Sequence, residues 1–80
     1  MMAHQPLHDF LIHEADEFVR AELLGVISQL EVGQRYFTYN TFNVLLDADT
    51  QVATIEDELD IERSESVSLV AFADLLRRAK

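Results

Sequence analysis

The residues of this chain best suited to metal chemistry are His13, Glu14 and Glu17, which form the pattern H-E-x-x-E. The related zinc pattern H-E-x-x-H sets two ligands one helical turn apart and uses the glutamate between them as a base. Here Glu17 replaces the second histidine, and the sequence indicates no third ligand. We interpret this segment as a solvated acidic helix face, with metal binding through His13 and Glu17 as an alternative.

His4 and His8 also have the four-residue spacing of metal ligands on a helix. Residues this close to a terminus are usually too poorly ordered to hold a metal ion. We therefore predict that residues 1–5 are disordered and that this histidine pair has no ligand.

A second metal pattern begins at Asp47, where the spacing matches an EF-hand calcium loop. Asp49, Gln51 and Glu58 occupy the third, fifth and twelfth positions of that loop. The sixth position must be glycine for the sharp turn, and here it is Val52. The flanking segments have the period of strands rather than helices. The sequence therefore predicts no calcium site, no other metal and no cofactor.

Nucleophilic catalysis has little support in the sequence. The chain has no cysteine, and Ser64, Ser66 and Ser68 lie in helix-capping positions rather than beside a histidine. Gly25 and Gly33 are the only glycines, so no glycine-rich phosphate loop is present. The many carboxylates lie on segments open to water, which do not separate their pKa values into an acid and a base. We predict that the protein is not an enzyme.

Composition limits the partners of the chain. It has 80 residues, 49% of them hydrophobic, and a formal net charge of −9 with only six basic residues. Nucleic-acid phosphates would be repelled, because binding them depends on lysine and arginine. No apolar run approaches the roughly 20 residues that span a bilayer. With no cysteine and no signal-like N-terminus, the sequence predicts a cytoplasmic protein that binds neither nucleic acid nor membrane.

The elements that would position these residues begin with a helix over residues 6–30. Its first apolar stripe is Leu7, Phe10, Leu11, Ala15 and Phe18. A second stripe on a rotated face is Val19, Leu23, Val26, Ile27 and Leu30. Either the helix bends or breaks between Phe18 and Gly25, or it is continuous and its second stripe is the interface of a homodimer. Gly33 has the position of a helix C′ residue.

The period then changes to two, which predicts strands. The first covers residues 36–39, the second residues 42–47 and the third residues 51–57. Asn40-Thr41 predicts a tight turn, since asparagine tolerates positive φ, and residues 47–50 predict another. Short connections of this kind join antiparallel neighbours, so the three strands form a meander.

A final helix is predicted after Ser68, which is a suitable N-cap. Its apolar stripe is Leu69, Phe72, Ala73 and Leu76. Arg77, Arg78 and Lys80 lie near the negative end of its dipole. The predicted fold is therefore one small α+β domain over residues 1–80, in the order α-β-β-β-α. In it, two helices pack on one face of a three-stranded antiparallel meander.

The acidic segment E-D-E-L-D-I-E-R-S-E at residues 56–65 is predicted to be a loop between the last strand and this helix. It contains six carboxylates and one arginine, a charge pattern that folding alone does not favour. Leu59 and Ile61 alternate with its acids and are suited to anchor a contact. The predicted partner-binding residues are Glu56, Asp57, Glu58, Leu59, Asp60, Ile61, Glu62 and Glu65.

These observations favour a small acidic module that binds a basic protein surface. In physical character, a short acidic α+β chain without cysteine resembles bacterial immunity proteins and antitoxins that block cationic toxins. That resemblance implies an inhibitor or adaptor that masks a basic partner. The alternatives are a structural homodimer and a metal-binding protein.

Overall fold

The computed structural model describes residues 6–78, in which three helices cover one face of a four-stranded antiparallel sheet. The elements are α1 Pro6–His13, α2 Glu17–Gln29, β1 Gln34–Tyr39, β2 Phe42–Asp47, β3 Val52–Asp57, β4 Asp60–Ser68 and α3 Leu69–Arg78. The predicted α+β class is confirmed, but within residues 6–78 the sheet has a fourth strand and the helices number three. The predicted disordered segment, residues 1–5 with His4, lies outside the described residues, as does Lys80.

A break at residues 14–16 divides the predicted N-terminal helix into α1 and α2. The amides of Glu14 and Ala15 both donate to the carbonyl of Phe10, and the Asp16 carboxylate then accepts the Val19 amide at 2.9 Å. Asp16 thus caps a new helix, and the side chains of α2 need not continue the apolar face of α1. The break lies upstream of the predicted position, and Phe18, expected to be buried with Phe10, is 73% exposed.

The sheet is a meander in the order β1-β2-β3-β4. Its buried face carries Phe42, Val44, Leu46, Ala53 and Ile55, and the helices cover it with Phe10, Leu23, Phe72 and Leu76. These residues alternate along β2 and β3 and stand opposite one another in register, as with Val44 and Ile55. The predicted bounds of the second strand, residues 42–47, are therefore correct, and its period of two decides which face meets the helices. Asn43, on the other face, is buried as well.

The turn at Asn40-Thr41 is confirmed, and Asn40 has φ 53. In the β2–β3 turn, the Asp47 carboxylate accepts the backbone amides of Asp49 and Thr50 and the side-chain amide of Gln34. The bond from Gln34, followed by the backbone bonds, holds the pKa of Asp47 below its ordinary value.

The predicted N-terminal helical segment ends within one residue of the predicted position, its predicted C′ residue is wrong, and the predicted start of the last helix is confirmed. α2 ends at Gln29 with Leu30 as its C-cap, so Gly33 is not the C′ residue. Gly33 has φ +82 and lies directly before β1, a conformation that favours glycine. Ser68 Oγ accepts the Ala71 amide at 3.0 Å, and the whole predicted stripe of α3 is buried.

The acidic segment is not the predicted loop: it forms the end of β3, a two-residue turn and the first part of β4. β4 pairs with β3 from Asp60 to Ser68, with a register shift beside Glu56 and Asp57. Carboxylates are unfavourable in strands, and this predicted a loop. As the edge strand of the sheet, however, β4 exposes one side to water, where charged residues are well tolerated.

Candidate functional site

The β3–β4 hairpin presents the acidic segment on a fixed support. Asp57 and Asp60 face each other across a two-residue turn formed by Glu58 and Leu59. The Asp57 carboxylate accepts the Leu59 amide at 2.9 Å, and the Glu58 amide donates to the carbonyl of Thr41 at 2.7 Å. The second bond joins this turn to the β1–β2 turn. The hairpin end is therefore held at two points.

Four residues of this hairpin project into water, and we call them the acidic tip: Glu58, Leu59, Asp60 and Glu62. Leu59 is 81% exposed, the most exposed large apolar side chain among the described residues. An exposed leucine between carboxylates can make an apolar contact with a partner, while the carboxylates around it can bind basic groups. Ile61 belongs to β4 by its backbone, and its side chain lies outside what the structure describes.

The other three predicted acids are engaged within the fold. Asp57 lies 3.4 Å from the Arg63 guanidinium, and Glu65 accepts the Leu7 amide at 3.2 Å at the start of α1. Glu56 accepts the hydroxyl of Tyr36 at 3.3 Å, and partial burial together with the Glu56 charge raises the pKa of that hydroxyl. All three acids are half-buried, so they offer a partner less surface than the acidic tip does.

The Asp57–Arg63 pair is the least solvated ion pair of the described residues. Its side chains are 14% and 29% exposed, and Arg63 Nε is buried without a hydrogen-bond partner within that part of the chain. A cation left without its anion in such a place is destabilising, whereas replacing both partners is often nearly neutral.

We expect Asp57→Asn to lower the free energy of unfolding by about 1–2 kcal/mol, because it leaves Arg63 uncompensated but keeps an acceptor for the Leu59 amide. Asp57→Ala should cost more, since it removes the acceptor as well. Adding Arg63→Met to Asp57→Asn should recover about half of the loss. Urea denaturation measures all three. Unchanged stability in Asp57→Asn would instead mean that Asp57 is free for a partner.

The five residues of the predicted dimer interface differ in how deeply they are buried. Val19 and Leu23 are buried in the core of the chain, with Leu23 fully inaccessible. Val26, Ile27 and Leu30 are half-buried against that core. The first two residues thus have almost no surface for a second chain, and the last three retain part of theirs.

The residues of the alternative metal site do not share a helix. His13 is the last residue of α1, and Glu17 is the first residue of α2. Within residues 6–78, no three side chains of ligand type come together as a metal site would require. None of the helices in this range is long and apolar enough to cross a membrane.

The sequence did not indicate how the acidic tip is presented. Glu58-Leu59 is not a typical two-residue turn, which favours asparagine and glycine. The aspartates on either side were the only local signal, because Asp57 and Asp60 each accept a backbone amide two residues ahead.

No protein-family model, curated protein or solved structure matches this chain.

Proposed function

We propose that this chain is a small acidic protein-binding module whose acidic tip engages a basic surface of a partner protein. The observation that supports this proposal is Leu59, which is 81% exposed in a hairpin turn whose two amides donate to the Asp57 carboxylate and to the Thr41 carbonyl. Interfaces gain most of their energy from a few residues that are desolvated at the centre of the contact. Leu59 suits that position.

The charges around Leu59 suit the rim of such an interface. Glu58, Asp60 and Glu62 are exposed, and the whole chain carries a formal net charge of −9. Complementary charge accelerates encounter and excludes like-charged partners, and its effect weakens with salt. A surface rich in lysine and arginine fits this tip, whereas nucleic-acid phosphates would be repelled.

The role that fits this chemistry is inhibition or adaptation rather than catalysis. A cationic surface, such as one that binds phosphates on a toxin or nuclease, is masked when carboxylates occupy it. The acids of the tip are exposed to water and lack the enclosed pocket in which a carboxyl group usually acts in catalysis. We place this activity in the cytoplasm, on the composition of the chain.

The experiment is a pull-down from native cell extract at low salt with three baits. The first is the wild-type chain, and the second carries Glu58→Gln, Asp60→Asn and Glu62→Gln. The third is a matched control that also loses three exposed carboxylates, through Glu17→Gln, Glu31→Gln and Asp74→Asn. The wild type and the control should retain the same protein and release it as salt rises, while the tip variant should not retain it.

The apolar part of the tip is tested with the protein so identified. We expect Leu59→Ser to raise its dissociation constant by about tenfold or more. Val70→Ser on α3 is the control, since Val70 is 77% exposed and lies outside the hairpin. Equal binding by the tip variant and the wild type would refute the site. If the control bait with three other neutralised carboxylates lost binding as fully as the tip variant, the effect would come from net charge and not from the acidic tip.

A further inference from the structure

The two edges of the sheet differ in how well they are protected from pairing with another chain. β4 carries four charged residues among nine, and such charges discourage edge-to-edge contact. β1 has one charged residue, Arg35, together with the aromatic residues Tyr36, Phe37 and Tyr39. Among the described strands, β1 pairs only with β2. Its second edge is therefore available.

The register shows which backbone groups line that edge. Tyr39 and Phe42 flank a two-residue turn, and the Ala48 amide donates to the Gly33 carbonyl at 2.8 Å in the same register. The odd-numbered residues of β1 thus bond to β2, because hydrogen-bonded pairs alternate along antiparallel strands. The backbone groups of Gln34, Tyr36 and Thr38 point away from β2, towards the open edge.

Opposite charges lie at the two ends of β1, on the face covered by the helices. Near its start, the exposed Arg35 extends over the ring of Phe37, with 5.5 Å between the guanidinium carbon and the ring centroid. Near its end, the Tyr39 hydroxyl donates to Glu22 of α2 at 2.6 Å. Burial and this carboxylate raise the pKa of the Tyr39 hydroxyl, so it remains a neutral donor. Glu22 itself is exposed.

We propose that β1 is a self-association edge, where a second copy of this chain adds its own β1 antiparallel to extend the sheet. Phe37 lies opposite the second copy's Phe37 on the two-fold axis, and Tyr36 exchanges backbone bonds with the second copy's Thr38. Arg35 then lies opposite the second copy's Tyr39, beside the second copy's Glu22. By symmetry this contact occurs twice. The inference goes beyond the acidic tip and does not depend on it.

Charge complementarity selects both the occupant and the register. A shift by one residue would set the outward-pointing backbone groups of Tyr36 and Thr38 opposite residues that already bond to β2, so no ladder could form. A shift by two would move Arg35 opposite the second copy's Phe37 and away from Glu22. An unrelated extended peptide would fill the backbone bonds but would not supply a matching pair of charges.

The surface above the edge leaves room for the second copy. A groove of about 360 Å³ separates α2 from Arg35 and is lined by Glu22 and Gly25. No heavy atom of the described residues lies within 4 Å of where a Cβ on Gly25 would stand, beyond its own helix and chain neighbours. The second α2 therefore meets no large side chain at Gly25.

A charge swap tests the pairing on the full chain by sedimentation equilibrium. The wild type should dimerise at micromolar concentrations, and Arg35→Glu or Glu22→Arg alone should each raise the dimer dissociation constant at least about tenfold, because like charges then meet twice. Mixing the two variants should restore the dimer, since both contacts become complementary again. A wild type that stays monomeric at several hundred micromolar, or a mixture that does not associate, would overturn the proposal.

Two further measurements exclude loss of folding or of net charge as the cause. Arg77→Glu makes the same change in net charge as Arg35→Glu, but at an exposed residue of α3, and this variant should dimerise as the wild type does. Hydrogen exchange of the Tyr36 and Thr38 amides should slow by a larger factor as protein concentration rises than that of Phe37 and Tyr39, which β2 already protects. Equal slowing at all four residues, or slowing at none, would contradict pairing through this edge.

Discussion

Phe10→Ala is expected to lower the free energy of unfolding by about 3–5 kcal/mol, which is much of the stability of a domain this small. Phe10 is fully buried, and its ring lies 5.8 Å from Phe42, 6.0 Å from Tyr39 and 6.4 Å from Phe72, between centroids. It thus joins α1 to two strands and to α3. Alanine would leave a cavity that no single element can close, and urea denaturation with an unchanged slope would measure the loss.

Phe18→Ala is the matched control, because it is the same substitution eight residues later on a side chain that is 73% exposed. Its effect should stay within about 0.5 kcal/mol. Similar losses for both phenylalanines would mean that Phe18 has a partner in the folded chain, and no loss at Phe10 would contradict the aromatic cluster.

The parts of the fold that the sequence predicts well are those decided by neighbouring residues. The stripe of α3 and its Ser68 cap depend on one helical turn. The alternation in β2 depends on six residues, and the turn at Asn40 depends on the conformational freedom of one side chain. Local preference and tertiary packing agree at these positions, so the pattern alone is sufficient.

The position of the helix break was missed although a local signal was present. Asp16 is a good N-cap, but apolar periodicity continues on both sides of it and favours one long helix. The Asp16 cap begins a separate helix, which is rotated relative to α1 so that Phe18 is exposed and Val19 is buried. The rotated face of the second predicted stripe did indicate this break, and only the predicted position of the break was wrong.

The acidic segment could be found from the sequence, but the sequence did not show which of its acids bond within the fold and which are exposed. Asp57 and Glu65 are engaged by Arg63 and by the amide of Leu7, which lies 58 residues from Glu65 in the sequence. Such bonds depend on how the strands and α1 pack in the folded chain. β4 depends on tertiary structure too: its acidic residues do not favour a strand, but pairing with β3 supplies the backbone hydrogen bonds that stabilise one.

Leu23→Ala is expected to lower the free energy of unfolding by about 2–5 kcal/mol at every protein concentration. Leu23 is fully buried within a single chain, in the core cluster to which α2, α3 and the strands contribute. The dimer interface predicted from the sequence contains Leu23, and the substitution of an interface residue would instead cost less stability on dilution, where the dimer dissociates. Denaturation at two concentrations a hundredfold apart distinguishes these outcomes.

Ile27→Ala provides the comparison within the same helix. Ile27 lies one turn after Leu23 and is only half-buried, so its substitution should cost clearly less than that of Leu23. A larger loss at Ile27, or a loss at Leu23 that diminishes on dilution, would place this stripe between two chains. A loss at Leu23 that is independent of concentration would place it in the core of the single chain.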